Sequence, residues 1–248
     1  GVEVGRDVTL DELREQGFKA FYVAIGCQGG RLAGIPGEDA EDVTVAVDFL
    51  REVNSGKIDA LTGRTIVVGG GNVAIDVARN ACRLGSEHVE MFCLESEAQM
   101  PASEEERREA VEDGAHISCG WGPKEVHLDE AGRVCGITFK RCTRVFDDGG
   151  RFAPEYDEND LRRVDADRVV MSIGQSIVWG DLLAGSKVEL GRGQGALADP
   201  QTYQTAEPDI FVGGDVYTGP SFAIDAIAAG HEAAVSIHRF VQPGSTLT

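Results

Sequence analysis

Residues Arg64 to Arg79 have the sequence RTIVVGGGNVAIDVAR, and this stretch decides the fold. Its β-branched start predicts a strand. Three glycines follow at Gly69, Gly70 and Gly71, and apolar residues then recur at helical spacing, which predicts a helix from Asn72 to Leu84. The stretch therefore predicts a strand, a glycine turn and a helix in that order.

The glycine turn has the form G-x-G-x-x-A, with Gly69, Gly71 and Ala74 at the fixed positions. The first glycine allows a tight turn, the second lets a pyrophosphate approach the backbone, and the alanine lets the helix pack closely on the strand. The first helical residues, Asn72 and Val73, present free N–H groups and the positive end of the helix dipole to phosphates. Because the pattern joins a predicted strand to a predicted helix, we interpret it as a dinucleotide-binding turn rather than a merely structural one.

The next predicted strand, His88 to Leu94, ends at Glu95, close to the 20-residue spacing expected of a ribose-binding acid. A carboxylate there accepts hydrogen bonds from the 2′-hydroxyl of NADH, whereas an arginine favours the 2′-phosphate of NADPH. No arginine or lysine occurs between Gly85 and Arg107. We therefore expect NADH to be preferred, with the alternative that Glu95 is a solvated loop acid.

The composition is typical of a globular protein, with 42% hydrophobic and 26% charged residues. Its 42 acidic and 23 basic residues give a net charge of −19, which disfavours nucleic acid and anionic membranes as partners. No apolar run approaches the ~20 residues of a membrane span, and the first residues do not resemble a signal peptide. We expect a cytoplasmic protein. The absent initiator methionine leads us to expect a piece of a longer chain.

The cysteines are scattered singly, without a C-x-x-C pair, which weighs against a local zinc site, a thioredoxin-type disulfide or an iron–sulfur cluster in this segment. They are Cys27, Cys82, Cys93, Cys119, Cys135 and Cys142. We interpret them as small buried residues. The five histidines show no metal-ligand spacing, and no Ser-His-Asp or paired-carboxylate arrangement is visible, so we predict neither a metal ligand nor a catalytic acid or base.

Further elements are predicted along the chain. Upstream these are a helix capped by Thr9, a buried strand from Phe18 to Ile25 and a helix from Val43 to Val53. Downstream, Ser103 to Glu106 predicts the capped start of a helix with a solvated charged face, and His116 to Phe146 predicts an antiparallel β insertion.

Two more strands are predicted to end in glycine. Val169 to Ile173 runs into Gly174, and Ile210 to Val212 runs into Gly213, Gly214 and Asp215. An alanine-rich helix from Pro220 to Val235 follows, with Ser221 as its candidate cap.

Four stretches together resemble the small-subunit family of glutamate synthase, which are flavoproteins with two dinucleotide-binding domains. They are Phe21 to Asp39, Val67 to Gly85, Ser96 to Glu106 and Asp209 to Ala234. The match covers nearly the whole chain, and several spaced motifs are more specific than one glycine turn. The resemblance implies an α/β fold, with a Rossmann-like NAD(P)-binding domain that carries an antiparallel β insertion, plus a partial FAD-binding domain.

The resemblance also implies domain boundaries. Residues 1–60 and 180–248 would form the partial FAD-type domain, and residues 61–179 would form the NAD(P)-binding domain inserted between them. The family's first FAD fingerprint and its iron–sulfur region would lie before Gly1, so we expect only half of an FAD site and a fragment incomplete for turnover alone.

In that family NAD(P)H binds at the glycine turn, the aspartate of the G-G-D motif contacts the flavin near its diphosphate, and the following helix start approaches the flavin ring. The implied further cofactor-binding candidates are Gly26, Gly174, Gly214, Asp215, Phe222 and Ala223. Relatives commonly carry two arginines where this chain has Leu94 and Glu95, which again favours NADH over NADPH.

The leading hypothesis is an FAD-dependent NAD(P)H oxidoreductase module. Hydride would pass from NADH, less readily from NADPH, to FAD, and single electrons would continue to iron–sulfur centres in other segments or subunits. The residues do not specify the final acceptor, so a generic NADH-linked electron-input subunit is as consistent as a glutamate synthase. The alternative is a non-catalytic NAD(H)-binding or assembly module. The missing C-x-x-C disfavours a thioredoxin-reductase-like enzyme.

Overall fold

The computed structural model describes residues 1–244, and the chain forms two compact units. Unit 1 comprises residues 1–29 and the described part of 175–248, and unit 2 comprises residues 30–174. The first boundary between the units lies after residue 29, whereas the family resemblance implies a domain boundary after residue 60. The reason is that residues 43–54 form an edge strand and a helix of unit 2.

The elements below are numbered in chain order. Within residues 1–244 the α-helices are α1 (Leu10–Glu15), α2 (Ala46–Asn54), α3 (Asn72–Arg83), α4 (Glu104–Glu112), α5 (Asp215–Thr218) and α6 (Ala223–Val241). The strands there are β1 (Phe21–Val23), β2 (Gly29–Gly30), β3 (Val43–Val45), β4 (Arg64–Val68), β5 (His88–Cys93), β6 (His116–Cys119), β7 (Trp121–Leu128), β8 (Val134–Phe146), β9 (Phe152–Val164), β10 (Arg168–Met171), β11 (Gln175–Ser176) and β12 (Ile210–Val212).

Unit 2 is built on a parallel sheet with the strand order β3-β10-β4-β5-β6. Strands β4 and β5 are buried almost throughout, as expected of parallel strands covered on both faces. Along β4, Val67 packs into a core shared with α2, α3 and α4, while Ile66 and Val68 pack into a core on the opposite face. The alternation of side chains thus places helices on one face and a second layer on the other.

The second layer is the antiparallel sheet β7-β8-β9. The rings of Phe92 on β5 and Phe139 on β8 stack with their centroids 3.9 Å apart. Beside them, Arg162 on β9 donates from Nη2 to Oε1 of the buried Glu90 at 2.8 Å. Apolar packing and a charged hydrogen bond therefore join the antiparallel sheet to the parallel sheet.

Unit 1 contains the parallel pair β1 and β12, with Phe21 opposite Ile210 and Val23 opposite Val212. Its core includes Val23, Ile210 and Val212 together with Leu10 of α1. Among residues 1–244, the core of unit 1 and the cores of unit 2 have no residue in common, so each unit has a hydrophobic core of its own.

The N-terminal elements confirm one prediction and shorten another. Helix α1 follows Thr9 with a complete capping box: Glu12 N–H donates to Thr9 Oγ1 at 3.2 Å, and Thr9 N–H donates to Glu12 Oε2 at 2.7 Å. The buried strand predicted over residues 18–25 is reduced to β1. Phe18 and Tyr22 are exposed, so that prediction of burial is wrong for them.

Two predictions in unit 2 placed residues in the wrong element. The helix predicted from Val43 begins only at Ala46, because Val43–Val45 form the edge strand β3 beside β10. The antiparallel insertion predicted from His116 begins only at β7. The preceding strand β6 pairs in parallel with β5, and Ile117 packs on the helix-side core.

Two helices also differ from expectation. The charged face of α4 is not merely solvated, because Arg79 of α3 pairs with Glu109 and donates to Asp113 at 2.8 Å. Helix α6 begins at Ala223, and Ser221 is not its cap. The Ser221 hydroxyl instead donates to Asp225 at 2.5 Å. Among the residues described, no helix combines the length and apolar character that a membrane crossing requires.

Candidate functional site

The glycine turn lies at the carboxyl end of β4, at the centre of the parallel sheet. On one side β4 pairs with β5, which follows it through α3, and on the other with β10, which comes much later in the chain. The chain therefore changes direction across the sheet at β4. Crevices at such switch points are where open α/β sheets bind ligands.

Gly69 and Gly70 are required by close packing. Gly69 has φ +142°, and a Cβ atom added to it would lie 2.1 Å from the carbonyl oxygen of Ser172. A Cβ at Gly70 would lie 2.8 Å from the Cβ of Cys93 and 3.1 Å from Oε2 of Glu95. Side chains at these two positions would collide with the protein itself.

Gly71 is different, because a Cβ atom added there would meet nothing within 4 Å. It caps α3 in an extended conformation (φ −90°, ψ 173°) and provides no side-chain cap. Within the described chain, the amides of Asn72 and Val73 have no protein acceptor, as the first bonds of the helix run from Ala74 and Ile75 to the Gly71 carbonyl. Open space beside free amides at a helix start fits a pyrophosphate.

A later segment supports the turn from outside. The Ala102 amide donates to the Gly70 carbonyl at 3.0 Å, and the Ser103 amide donates to Oδ1 of Asn72 at 3.1 Å. The side chain of Asn72 therefore holds the segment at Ser103, while the backbone N–H of Asn72 remains available on the open side of the turn. Sequence reasoning did not identify Ala102 and Ser103 as supports, although both lie in a stretch that carried the family resemblance.

Glu95 is half-buried beside the turn, as the ribose hypothesis requires. Its backbone carbonyl accepts a hydrogen bond from Gly120 N–H at 2.9 Å. Among residues 1–244 its carboxylate forms no ion pair. The carboxylate is thus available to accept hydrogen bonds from a ligand.

Two cysteines distant in sequence meet beneath the turn. Cys93 on β5 and Cys119 on β6 are register partners, and their sulfur atoms are 3.7 Å apart. Burial raises the pKa of the Cys93 thiol, and the neighbouring Cys119 raises it further. The expectation that all six cysteines are buried is wrong, since only Cys27 and Cys93 are.

Acidic groups lie on α3 and α4 near the turn. Burial raises the pKa of Asp76 on α3. Burial also raises the pKa of Glu106 on α4, and the charge of Asp76 adds to this effect. Oε2 of Glu106 is buried without a hydrogen-bond partner. No group of three potential metal-ligating side chains occurs in the described range.

In unit 1 the structure brings several of the flavin candidates together. Gly26 has φ +67°, and a Cβ atom added there would lie 4.0 Å from Oδ2 of Asp215. Gly214, which also has a positive φ, is the N-cap of α5, and Asp215 is the first residue of that helix. Oδ1 of Asp215 accepts a hydrogen bond from the Ser221 amide at 3.3 Å, which connects it to the start of α6.

That start presents Phe222 and Ala223, both exposed, and the Phe222 side chain is among the most exposed apolar groups of the chain at 75%. The remaining candidate, Gly174, belongs to unit 2 rather than to this group. It has φ +117° and lies beside Arg31, two residues after the Ser172 that contacts Gly69.

Comparison with known families is consistent with this arrangement. The family model described as pyridine nucleotide-disulphide oxidoreductase matches residues 2–230, which include the glycine turn, Glu95 and Asp215. The chain belongs to this oxidoreductase family. The family assignment therefore covers both units.

Curated relatives and a solved structure agree with it. The chain is 34% identical to the beta subunit of NADP(+)-dependent formate dehydrogenase of Moorella thermoacetica, covering 98% of this chain and 34% of the relative. It is 31% identical to the small chain of glutamate synthase [NADPH] of Escherichia coli, covering 97% and 54%. FprA of Mycobacterium tuberculosis, solved in complex with NADPH, superposes with a TM-score of 0.76 at 19% identity, covering 97% of this chain and 67% of FprA.

These findings confirm the predicted resemblance to the glutamate synthase small subunit and the predicted α/β class with two dinucleotide-binding domains. The chain spans about a third to a half of the length of the two curated relatives.

Proposed function

We propose that this chain forms the nucleotide-binding part of an FAD-dependent NAD(P)H oxidoreductase subunit, and that it prefers NADH. The open turn at Gly71 is the observation that carries the proposal. Its added Cβ meets no protein atom, and the two amides beside it have no protein acceptor in the described chain. A site with both properties accommodates a diphosphate without any rearrangement.

In unit 2 we assign the pyrophosphate to Gly71, Asn72 and Val73, and the adenine ribose to Glu95. The Glu95 carboxylate lies beside Gly70 and has no ion-pair partner within residues 1–244. It can accept hydrogen bonds from the ribose 2′-hydroxyl, and it repels a 2′-phosphate. This is the basis for the NADH preference, although both curated relatives named above are called NADP(+)- or NADPH-dependent.

In unit 1 we assign FAD to the group around Asp215. Gly26 and Gly214 provide backbone without side chains on either side of this carboxylate. Phe222 and Ala223 are exposed at the start of α6, where apolar surface suits a flavin ring. Among the described residues of unit 1 this group includes no glycine-rich pyrophosphate turn, so we expect it to hold FAD weakly by itself.

Held by these residues, NADH would supply a hydride and FAD would supply the means to accept it and to release single electrons to iron–sulfur centres that other segments or subunits would contribute. The residues of this chain bind and orient the two groups, and we assign none of them as a general acid or base. The two relatives described above are a beta subunit and a small chain, which supports a role as one subunit of a larger assembly.

The test is a calorimetric titration of the chain with NADH, NADPH and FAD, using wild type and Gly71→Val. We expect wild type to bind NADH and the variant to lose at least about 100-fold in affinity, because the valine side chain occupies the pyrophosphate space. The variant should remain folded, since Gly71 has an ordinary backbone conformation and open surroundings.

Gly69→Val provides the matched comparison. It should reduce the thermal unfolding temperature as well as binding, because of its positive φ and the Ser172 carbonyl. Unchanged NADH affinity in a folded Gly71→Val variant would overturn the proposed site. Tight NADH binding without any flavin reduction, even with excess FAD, would favour the non-catalytic module.

A further inference from the structure

An arginine from the antiparallel sheet lies beside Gly120, the residue whose amide is hydrogen-bonded to Glu95. The Gly120 amide donates to the Glu95 carbonyl at 2.9 Å, and the Cys142 amide donates to the Gly120 carbonyl at 2.9 Å. The end of β5, the end of β6 and the middle of β8 are therefore held side by side. Arg141 immediately precedes Cys142 on this bonded row.

The Arg141 guanidinium is held at the end of β6. Nη1 donates to the Cys119 carbonyl at 3.4 Å, and the guanidinium lies 4.8 Å from the centre of the Trp121 ring. A Cβ atom added at Gly120, which has φ +78°, would lie 3.1 Å from Nη1. Glycine at this position therefore leaves the space that the guanidinium uses.

Arg141 contacts the carboxyl-terminal edge of the parallel sheet, and the glycine turn lies at the same edge. Cys119 is the register partner of Cys93, so the ends of β5 and β6 are level. Glu95 follows the end of β5 and accepts the Gly120 amide through its backbone carbonyl, and the Arg141 guanidinium lies beside Gly120 at the end of β6.

The charge of Arg141 is only loosely compensated. Its side chain is 44% exposed, and its ion-pair partner, Asp160, is 3.8 Å away. Among residues 1–244 no ion pair joins Arg141 to Glu95. The guanidinium therefore has donors to offer a ligand, and its planar fork matches the geometry of a phosphate as well as that of a carboxylate.

We propose that Arg141 is a second determinant of nucleotide specificity, which binds the 2′-phosphate and allows NADPH to be accepted beside NADH. This inference rests on the proposed nucleotide site. Glu95 disfavours the 2′-phosphate and Arg141 attracts it, so the preference for NADH is a balance of two opposed charges. Without Arg141 only the repulsion by Glu95 remains, and the site becomes selective for NADH.

The experiment measures dissociation constants of NADH and NADPH by calorimetry for wild type, Arg141→Gln and Arg141→Lys. We expect Arg141→Gln to raise the dissociation constant of NADPH at least about tenfold and to change that of NADH by no more than about twofold. Arg141→Lys should retain part of the NADPH affinity, because it keeps the charge but loses the bidentate geometry.

Arg144→Gln is the matched control. It removes the same charge from the same strand at similar exposure, but its guanidinium pairs with Glu155 and Asp148 towards the hairpin end. It should change neither constant. A second probe, adenosine 2′,5′-bisphosphate compared with AMP, reports the 2′-phosphate without the nicotinamide, and its advantage over AMP should disappear in Arg141→Gln.

The outcomes separate the two proposals. Equal weakening of NADH and NADPH in Arg141→Gln indicates a structural role and overturns the inference. The inference is also overturned if the wild type binds NADH but not NADPH, or if Arg141→Gln leaves the NADPH affinity unchanged. Neither of these results contradicts the proposed nucleotide site. Wild type that binds neither nucleotide overturns both proposals.

Discussion

Gly69, Gly70 and Gly71 are three consecutive glycines, yet the space beside each of them differs. The first contacts the Ser172 carbonyl, the second contacts Cys93 and Glu95, and the third faces open space. The G-x-G-x-x-A pattern correctly predicted a strand-turn-helix unit. It could not show which glycine leaves room for a ligand, because that depends on neighbours from other strands.

Arg141 illustrates the limit of residue-level prediction. Specificity was predicted from the residues near the end of β5, where Glu95 is found and arginines are missing. Arg141 is brought beside Gly120, whose amide bonds to the Glu95 carbonyl, only by the packing of the inserted sheet at the end of β6. No spacing rule connects these positions, so sequence reasoning missed the arginine.

Glu95→Arg should shift the nucleotide preference towards NADPH. The substitution replaces a repulsive carboxylate with a cation at the ribose, so we expect the ratio of NADPH to NADH affinity to rise at least about tenfold. Calorimetric titration with both nucleotides measures the ratio. Glu97→Arg, an exposed acid two positions later, introduces the same charge and should leave the ratio unchanged. A ratio that stays constant in Glu95→Arg would make Glu95 a surface acid only.

At the scale of elements, prediction succeeded where local signals agreed with burial. The capping box of α1 and the buried run of β4 were both recognised from sequence. Prediction failed at β3, where Val43–Val45 precede a helix without any turn residue between them, so periodicity merged the two. Pairing with β10 decides that these residues form a strand, and such pairing is a tertiary contact.

The antiparallel sheet is tied to the turn before β3 by a buried carboxylate. Nε of Arg133 donates to Asp42 Oδ2 at 2.6 Å, and the Val134 amide donates to the same oxygen at 3.2 Å. Burial raises the pKa of Asp42, but the hydrogen bonds from Arg133 and Val134 outweigh that effect and hold the pKa below its usual value. The folded state therefore favours the ionised carboxylate.

Asp42→Ala should lower the free energy of unfolding of unit 2 by about 2 kcal/mol at pH 7, because it leaves the buried Val134 amide without its acceptor. A carboxyl with a lowered folded pKa stabilises the protein above its unfolded pKa of ~4, and the stabilisation is lost as pH falls through the folded value. The difference between wild type and variant should therefore shrink below about pH 4. Urea unfolding at several pH values measures it, with the exposed Asp39→Ala as control. A difference independent of pH would contradict the assigned role of the charge.

At the scale of the whole molecule, the resemblance predicted a domain inserted into another, and the structure shows two units with separate cores. The position of the first boundary could not be read from composition, because the membership of residues 30–60 depends on the β3–β10 pairing.

The two tryptophans provide a test of independence. Trp121 packs against a core of unit 2, and Trp179 packs against the core of unit 1. In Trp179→Phe the fluorescence reports unit 2, and in Trp121→Phe it reports unit 1. With NADH at 100 times its dissociation constant, the free energy of unfolding reported by Trp121 fluorescence should rise by about 2.7 kcal/mol. The free energy reported by Trp179 fluorescence should stay unchanged. An equal shift of both would show that the units unfold as one.

The parallel pair β1 and β12 also determines when unit 1 can form during synthesis on the ribosome. Phe21 is translated before residues 30–174, and its partner Ile210 is translated only after all of them. The intervening unit can fold as soon as it has emerged, whereas the first strand must wait for its partner. A segment that waits in this way exposes apolar surface to chaperones and aggregation until its partner strand has been translated.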